Sequence, residues 1–423
     1  MCLPVVPDTA LCDASINSNP GNGFSKQPKW EAVASQPMAR PNADLLAVAA
    51  DRPLERVTSD HIVEMAIEHR MAGLLASRVE SGQIDLDPES WNRLQEADMV
   101  GWARNRMLAD VAVKLVSTAA SLGLRVSIMK GLATEARWYD RPGERPSYDI
   151  DLVVHPDDLN LVPLLVEVLH PSHSLLPDLA GLIRSGHLQS LDLKLNDLPI
   201  DLHWDPLKLE LVRARRPDMV WDRVEQVEVK TGGLVPAFDP EYALIGHLLH
   251  LNRDRFRYLL GFADVARILQ RTELDWGFIE RVLAVEGLKV PVAMSLATVI
   301  EGLHLQVRPP LSSGTGPKAQ IWKRAWPPDQ QLLGIPHSAR QTHRQFLIPV
   351  TGSGRTVETL LGYLRRLIPP PTLINYYYPH VRGPYFWKLL FARFRRRARR
   401  RRLGVTHTAA PSHLEDSSNH HHS

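Results

Sequence analysis

Hydrophobic positions change their spacing twice along this chain. Over residues 43–122 they recur with a helical period. Leu45, Leu46, Val48 and Ala49 start the pattern, and residues 60–69 continue it. Leu108, Val111, Leu115 and Val116 then share one face of one or two helices within 91–122. Gly123 is a natural helix stop. From residue 125 the apolar runs shorten. Residues 125–129 and 148–154 predict strands, with a helix over 131–139 and a loop over 140–146 between them. Pro156-Asp157-Asp158 opens a helix running towards Leu169, with proline in its first turn and acids near its positive end. Residues 171–186 read as irregular or partly helical. Leu188, Leu191, Leu193 and Leu195 mark a strand over 187–195, Asn196-Asp197 a turn, and residues 198–204 the return strand of a hairpin. Helical spacing comes back over 241–252, 258–270, 276–286 and 291–303.

This order predicts an α+β fold: a small mixed sheet with helices on one side, flanked by amino-terminal and carboxy-terminal helical regions. The expected organisation is a disordered arm over residues 1–42, a helical region over 43–122 and a sheet-bearing core over 123–235. A helical domain follows over 236–307, then a variable loop over 308–343 rich in Pro, Gly and Ser. Helices with a basic end occupy 344–403, and a disordered tail 404–423. A chain of 423 residues is long enough for two or three domains with sizeable cores.

Composition narrows the picture modestly. With 44% apolar and 23% charged residues the chain has the make-up of a soluble globular protein. A net charge of +3 gives no polyelectrolyte character, although residues 393–402 are almost all arginine. Cys2 and Cys12 lie in a polar stretch and provide neither a disulfide framework nor a thiolate zinc site. No run of about 18 apolar residues argues for a membrane span. The first residues lack the pattern of a signal peptide, so the expected compartment is the cytoplasm.

The candidate chemistry gathers around one stretch. An apolar run ends in Lys130-Gly131, and the next apolar run carries Asp149 and Asp151 one residue apart. In a strand those two carboxylates project to one side, where they repel unless a cation lies between them. Asp201 and His203 share a face in the same way in a later strand, so Asp149, Asp151 and Asp201 together could cage two Mg²⁺ ions. Oxygen donors favour magnesium over zinc. The plainer alternative makes Asp149 a turn residue and Asp151 an ion-pair partner of Arg145. Gly131, at a strand-to-helix turn, would let a phosphate reach the backbone N–H groups, and Lys130 would add a point charge. Arg145 could clamp a phosphate with its forked guanidinium, or instead position Asp149.

This arrangement resembles the nucleotidyltransferase superfamily of the polymerase-β type. In particular it is similar to the family usually labelled uncharacterised nucleotidyltransferase, found in bacterial natural-product and lasso-peptide gene neighbourhoods. The resemblance rests on Met129-Lys130-Gly131, Tyr139, Arg145-Pro146, Asp149-Ile150-Asp151-Leu152-Val153 and Ile200-Asp201-Leu202-His203-Trp204. It continues through His247, His250, Asp264, Asp275-Trp276 and the prolines 369–371, spanning residues 45–395. It implies that Asp149 and Asp151 ligate both metals and Asp201 the catalytic one. The implied reaction moves a nucleoside monophosphate from an NTP such as ATP to an acceptor that is a small molecule, peptide or protein. Better-known members place Gly-Ser at the phosphate turn; here Lys130-Gly131 stands there and Leu132 follows. Two rivals stay open: a catalytically inactive binding or antitoxin-like protein that keeps the fold, and a phosphotransferase moving the γ-phosphate.

Outside that stretch, His247 and His250 share a helix face without a third zinc ligand and read as packing, as support behind the metal ligands, a role His203 could share, or as acceptor-pocket lining. Asp264 stands on an otherwise apolar helix and calls for a core arginine. The segment from Tyr385 into the arginine run has the composition of a docked terminal helix, of a membrane-surface or partner-binding helix, or, less favoured, of a nucleic-acid patch.

Overall fold

The computed structural model describes residues 43–53, 61–169, 179–185, 188, 190–205, 207, 217–254, 256–311, 357–358 and 361. The amino-terminal arm, most of the 308–343 loop and the basic carboxy-terminal segment lie outside them.

Four helices come first: α1 (Ala43–Ala49), α2 (His61–Glu68), α3 (Ala72–Glu80) and α4 (Pro88–Ser121). Helix α4 is one continuous element of 34 residues where the pattern allowed two. Its start is fixed by Asp87, whose carboxylate accepts from the N–H groups of Glu89 and Ser90 at 2.9 and 3.0 Å, with Pro88 in the first turn. Strand β1 (Val126–Met129), helix α5 (Gly131–Trp138) and strand β2 (Ile150–Val154) follow, then α6 (Val162–Leu169) and α7 (Leu179–Arg184). Strands β3 (Ser190–Leu195) and β4 (Leu198–His203) form the expected hairpin. Asn196 and Asp197 turn it with positive φ of 51° and 62°, as a tight hairpin turn requires.

Helix α8 (Asp218–Trp221) leads to a second hairpin that the apolar spacing did not reveal, β5 (Val224–Glu228) and β6 (Leu234–Phe238). Only Val227 of β5 is buried, and β6 contains Pro236, so neither strand carries a clean alternating pattern. Helices α9 (Pro240–Arg253), α10 (Leu259–Arg271), α11 (Trp276–Glu286) and α12 (Lys289–Leu303) complete the described fold close to the predicted bounds.

The six strands make one mixed sheet in the order β3-β4-β2-β1-β6-β5. The α+β class is therefore observed. Strand β2 lies between β1, to which it is antiparallel, and β4, to which it is parallel. Helices cover both faces of the sheet rather than one, because successive residues of the central strands are all buried. Ile150, Leu152 and Val154 pack in one core with Leu108, Val111 and Leu115 of α4. Met129 and Val153 point the other way, into a core shared with α9 to α12 and α1 to α3. Asp151 has the parity of Val153, so it faces the helical half.

Candidate metal and phosphate site

The register of the central strands assembles the site. Asp151 on β2 pairs with Asp201 on β4, and Val153 pairs with His203. Neighbouring strands lie about 4.8 Å apart, which sets the two carboxylates side by side on one face. His203 follows Asp201 by two residues and returns to that face, with its Nε2 3.4 Å from an oxygen of Asp151 and 3.8 Å from one of Asp201. One ligand atom from each of the three side chains lies within 4.8 Å of the others. The Asp151 and His203 side chains are about one-tenth exposed and that of Asp201 about one-third, so the group opens to solvent on the Asp201 side. Two like charges, one buried and one partly exposed, next to an imidazole fit a divalent cation held by two hard oxygens and one nitrogen.

The candidate ligand group thus includes His203, which the sequence placed on the face of Asp201 without counting it among the ligands. Asp149 lies in a bend just ahead of β2, half-buried, and outside that trio. The predicted strand began at residue 148; the observed one begins at Ile150, so Asp149 is not held by sheet geometry.

Beside the trio, β1 ends at Met129, which pairs with Asp151 across the sheet, and the chain turns into α5 through Lys130 and Gly131. Lys130 is buried and carries φ 50° and ψ −144°, a region that non-glycine residues rarely occupy. Gly131 has φ 33°, and a Cβ there would meet the Ser147 Oγ at 3.3 Å and the Asp149 carbonyl at 3.7 Å. The positive φ disfavours any side chain at this position, and the Ser147 hydroxyl leaves little room for one. Lys130 also presses on the charge of the helical half: its ammonium helps lower the proton affinity of His247 and His250.

Arg145 sits elsewhere. Its Nε and Nη2 donate to the two oxygens of Asp264 at 2.8 Å each, so the fork expected for a phosphate is spent on the carboxylate of α10. The Tyr139 hydroxyl donates to Asp264 at 2.6 Å, and the Nδ1 of His247 lies 3.4 Å away. Burial opposes ionisation of Asp264, but Arg145 and its other partners outweigh it and hold the carboxyl below its ordinary range. Burial dominates at His247 and pulls its pKa down to about 4. A neutral imidazole with its proton on Nδ1 faces Asp264 and accepts on Nε2 from the Thr134 hydroxyl, 2.8 Å away. His250 instead pairs with Asp254 at 3.0 Å and with Arg253 at 2.8 Å.

Residues that spacing did not single out hold this scaffold. Asn105 of α4 donates to the Arg145 carbonyl at 2.7 Å and to Glu135 at 2.8 Å, and accepts from the Ser147 N–H at 2.7 Å. The same Glu135 oxygen also accepts from the Gly143 N–H at 2.6 Å. The loop that delivers Asp149 and Asp151 is thereby pinned at both ends. Its sequence signal is faint: one polar residue, Asn105, on the buried face of an otherwise apolar helix.

A small cleft between α5 and α9 is lined by Lys130, Thr134, Arg137, Tyr242 and His247. Among the described residues no helix is long and apolar enough to cross a membrane.

No curated protein matches the chain in sequence. A solved structure of an antigenic nucleotidyltransferase-like protein from Paracoccidioides brasiliensis is similar over 49% of this chain and 94% of its own, at 14% identity and a TM-score of 0.29. A family profile described as uncharacterised nucleotidyltransferase matches residues 55–301, more than half of the chain and the whole span from α2 to the end of α12 but for its last two residues. The chain belongs to that family of uncharacterised nucleotidyltransferases.

Proposed function

We propose that the protein is a metal-dependent nucleotidyltransferase that moves a nucleoside monophosphate from an NTP to an acceptor hydroxyl or phosphate. The observation that carries this reading is the in-register placement of Asp151 and Asp201, with His203, directly beside the Lys130-Gly131 turn. Asp151, Asp201 and His203 would hold a divalent cation, Mg²⁺ or Mn²⁺; a second ion would draw on Asp149. When bound, the metal supplies neutralisation of phosphate charge and acidification of the acceptor oxygen. Lys130 would hold the β- or γ-phosphate, and the first N–H groups of α5 would bind a second phosphate oxygen. With the triphosphate fixed, the acceptor oxygen attacks the α-phosphorus in line. The bond to the bridging oxygen breaks and pyrophosphate leaves. Asp201, the more exposed carboxylate, is suited to take the acceptor's proton.

ATP as donor, a peptide or other natural product as acceptor, and a cytoplasmic setting belong to the same proposal. So does a partner or membrane-surface role for the basic carboxy-terminal segment, which lies outside the described residues. The test is transfer of α-labelled NTPs in Mg²⁺ to candidate acceptors. Asp151→Asn and Asp201→Asn should each lower transfer at least about 100-fold. Equal transfer by wild type and both variants would remove the assignment, and release of ADP without pyrophosphate would mark a phosphotransferase.

A second reading, nucleotide binding without transfer, is favoured by one observation: residue 132 is a buried leucine, so the turn has no hydroxyl of its own. Nucleotide-dependent thermal stabilisation with no label transfer to any acceptor would establish it.

A further inference from the structure

Two arginines and two tyrosines cluster beside the segment that leads into Asp151. The Arg70 guanidinium is sandwiched between two rings, its Cζ 4.4 Å from the centre of Tyr148 and 3.9 Å from that of Tyr258. Arg104 of α4 lies 5.4 Å from the same Tyr148 ring. Arg70 sits after α2 with a positive φ of 63°, a backbone state that costs energy and persists only where surroundings impose it. Tyr148 is 39% exposed and stands three residues before Asp151. Three residues of chain span at most about 10 Å.

Both arginines lack the carboxylate partner that many others have, and they share one ring. Arg78, Arg137, Arg141, Arg145, Arg223 and Arg271 each meet a carboxylate. Among the described residues no carboxylate pairs with Arg70 or Arg104. Stacking occupies the flat faces of a guanidinium and leaves its N–H edges pointing outward in the plane, the geometry that matches two oxygens of a phosphate. It also restrains the long side chains in advance, so less entropy is lost when an anion binds.

We propose that Arg70 and Arg104, stacked on Tyr148, form a phosphate-binding site at the mouth of the metal site. The phosphate belongs either to the polyphosphate of the nucleotide or to a phosphorylated acceptor. The identity of that substrate rests on the transferase reading; the binding itself does not.

The test starts without metal. Inorganic tripolyphosphate is titrated calorimetrically into the full chain in EDTA, for wild type, Arg70→Gln, Arg104→Gln, the double variant and Tyr148→Ala. Each arginine replacement should weaken binding about 10-fold and the double variant about 100-fold, and Tyr148→Ala should weaken it as the stack collapses. Arg104 is half-buried on a long helix, so its variant keeps the test alive if Arg70→Gln does not fold. Equal affinity for wild type and the double variant overturns the site. A second arm repeats the titration in Mg²⁺ with a saturating non-hydrolysable NTP analogue. Competition assigns the site to the nucleotide's own phosphates; undiminished binding assigns it to the acceptor. Loss of label transfer from natural NTPs, with metal-free binding intact, would sink the transferase reading and leave this one standing.

Discussion

At the scale of single residues, the decisive pair is Arg145 and Asp264, 119 positions apart and fully buried. The sequence made Asp264 conspicuous, a carboxylate on an apolar helix, but could not name its partner, because nothing in the spacing brings residue 145 to residue 264. Asp264→Ala would strand a buried guanidinium and should cost about 3–5 kcal/mol in urea unfolding; a cost below about 1 kcal/mol would show that the pair is solvated in solution. His247 makes a pH prediction with a definite sign. Its folded pKa of about 4 lies below the ordinary 6.5, so the unfolded chain takes up the proton first as pH falls. Stability contributed by the neutral ring is complete above pH 6.5, declines between 6.5 and 4, and has been lost below 4 by up to about 3 kcal/mol. His247→Gln should flatten that decline between pH 7 and 5 in urea midpoints. An unchanged slope would place the titration on other groups. Asp264, with its lowered pKa, acts in the same direction but only below the usual carboxylate range.

At the scale of elements, the turn from β1 into α5 shows how much of the site was legible. Lys130-Gly131 was readable as a strand-to-helix turn near two aspartates, and the hairpin around Asn196-Asp197 was readable from its turn residues. The pairing of β2 with β4, which converts His203 into a ligand candidate, was not, because register between strands some 50 residues apart is set by packing rather than by local pattern. Strand β5 was missed for the related reason that an exposed edge strand needs no alternation, and β6 because it is buried on both faces and carries Pro236. The strained backbone at Lys130 was also invisible, and it carries a prediction. Replacing Lys130 by Gly removes a φ of 50° that a side chain tolerates poorly. The variant should gain about 1 kcal/mol of stability while nucleotide affinity falls, the opposite signs expected of a residue kept for function. A variant less stable than wild type, with affinity unchanged, would make the lysine structural.

At the scale of the whole molecule, the site lies where the sheet meets the helical half. Asp151, Asp201 and His203 come from the sheet, while Tyr139, Arg145 and Thr134 tie the segments around them to Asp264 and His247 on α10 and α9. Metal binding should therefore be felt by the folding of the entire described body, and its sign depends on whether the cation is present. Without metal, Asp151 and Asp201 hold two like charges on adjacent strands, an arrangement that costs stability. In EDTA, Asp201→Asn should consequently unfold at the same temperature as wild type or higher. With Mg²⁺ or Mn²⁺ at about 100 times the dissociation constant, wild type gains about 2.7 kcal/mol and the variant little, so the order reverses. Thermal unfolding of both proteins across a metal titration reads this crossing directly. Parallel curves at every concentration would mean that the three side chains hold no ion, and that the carboxylates are paired within the protein instead.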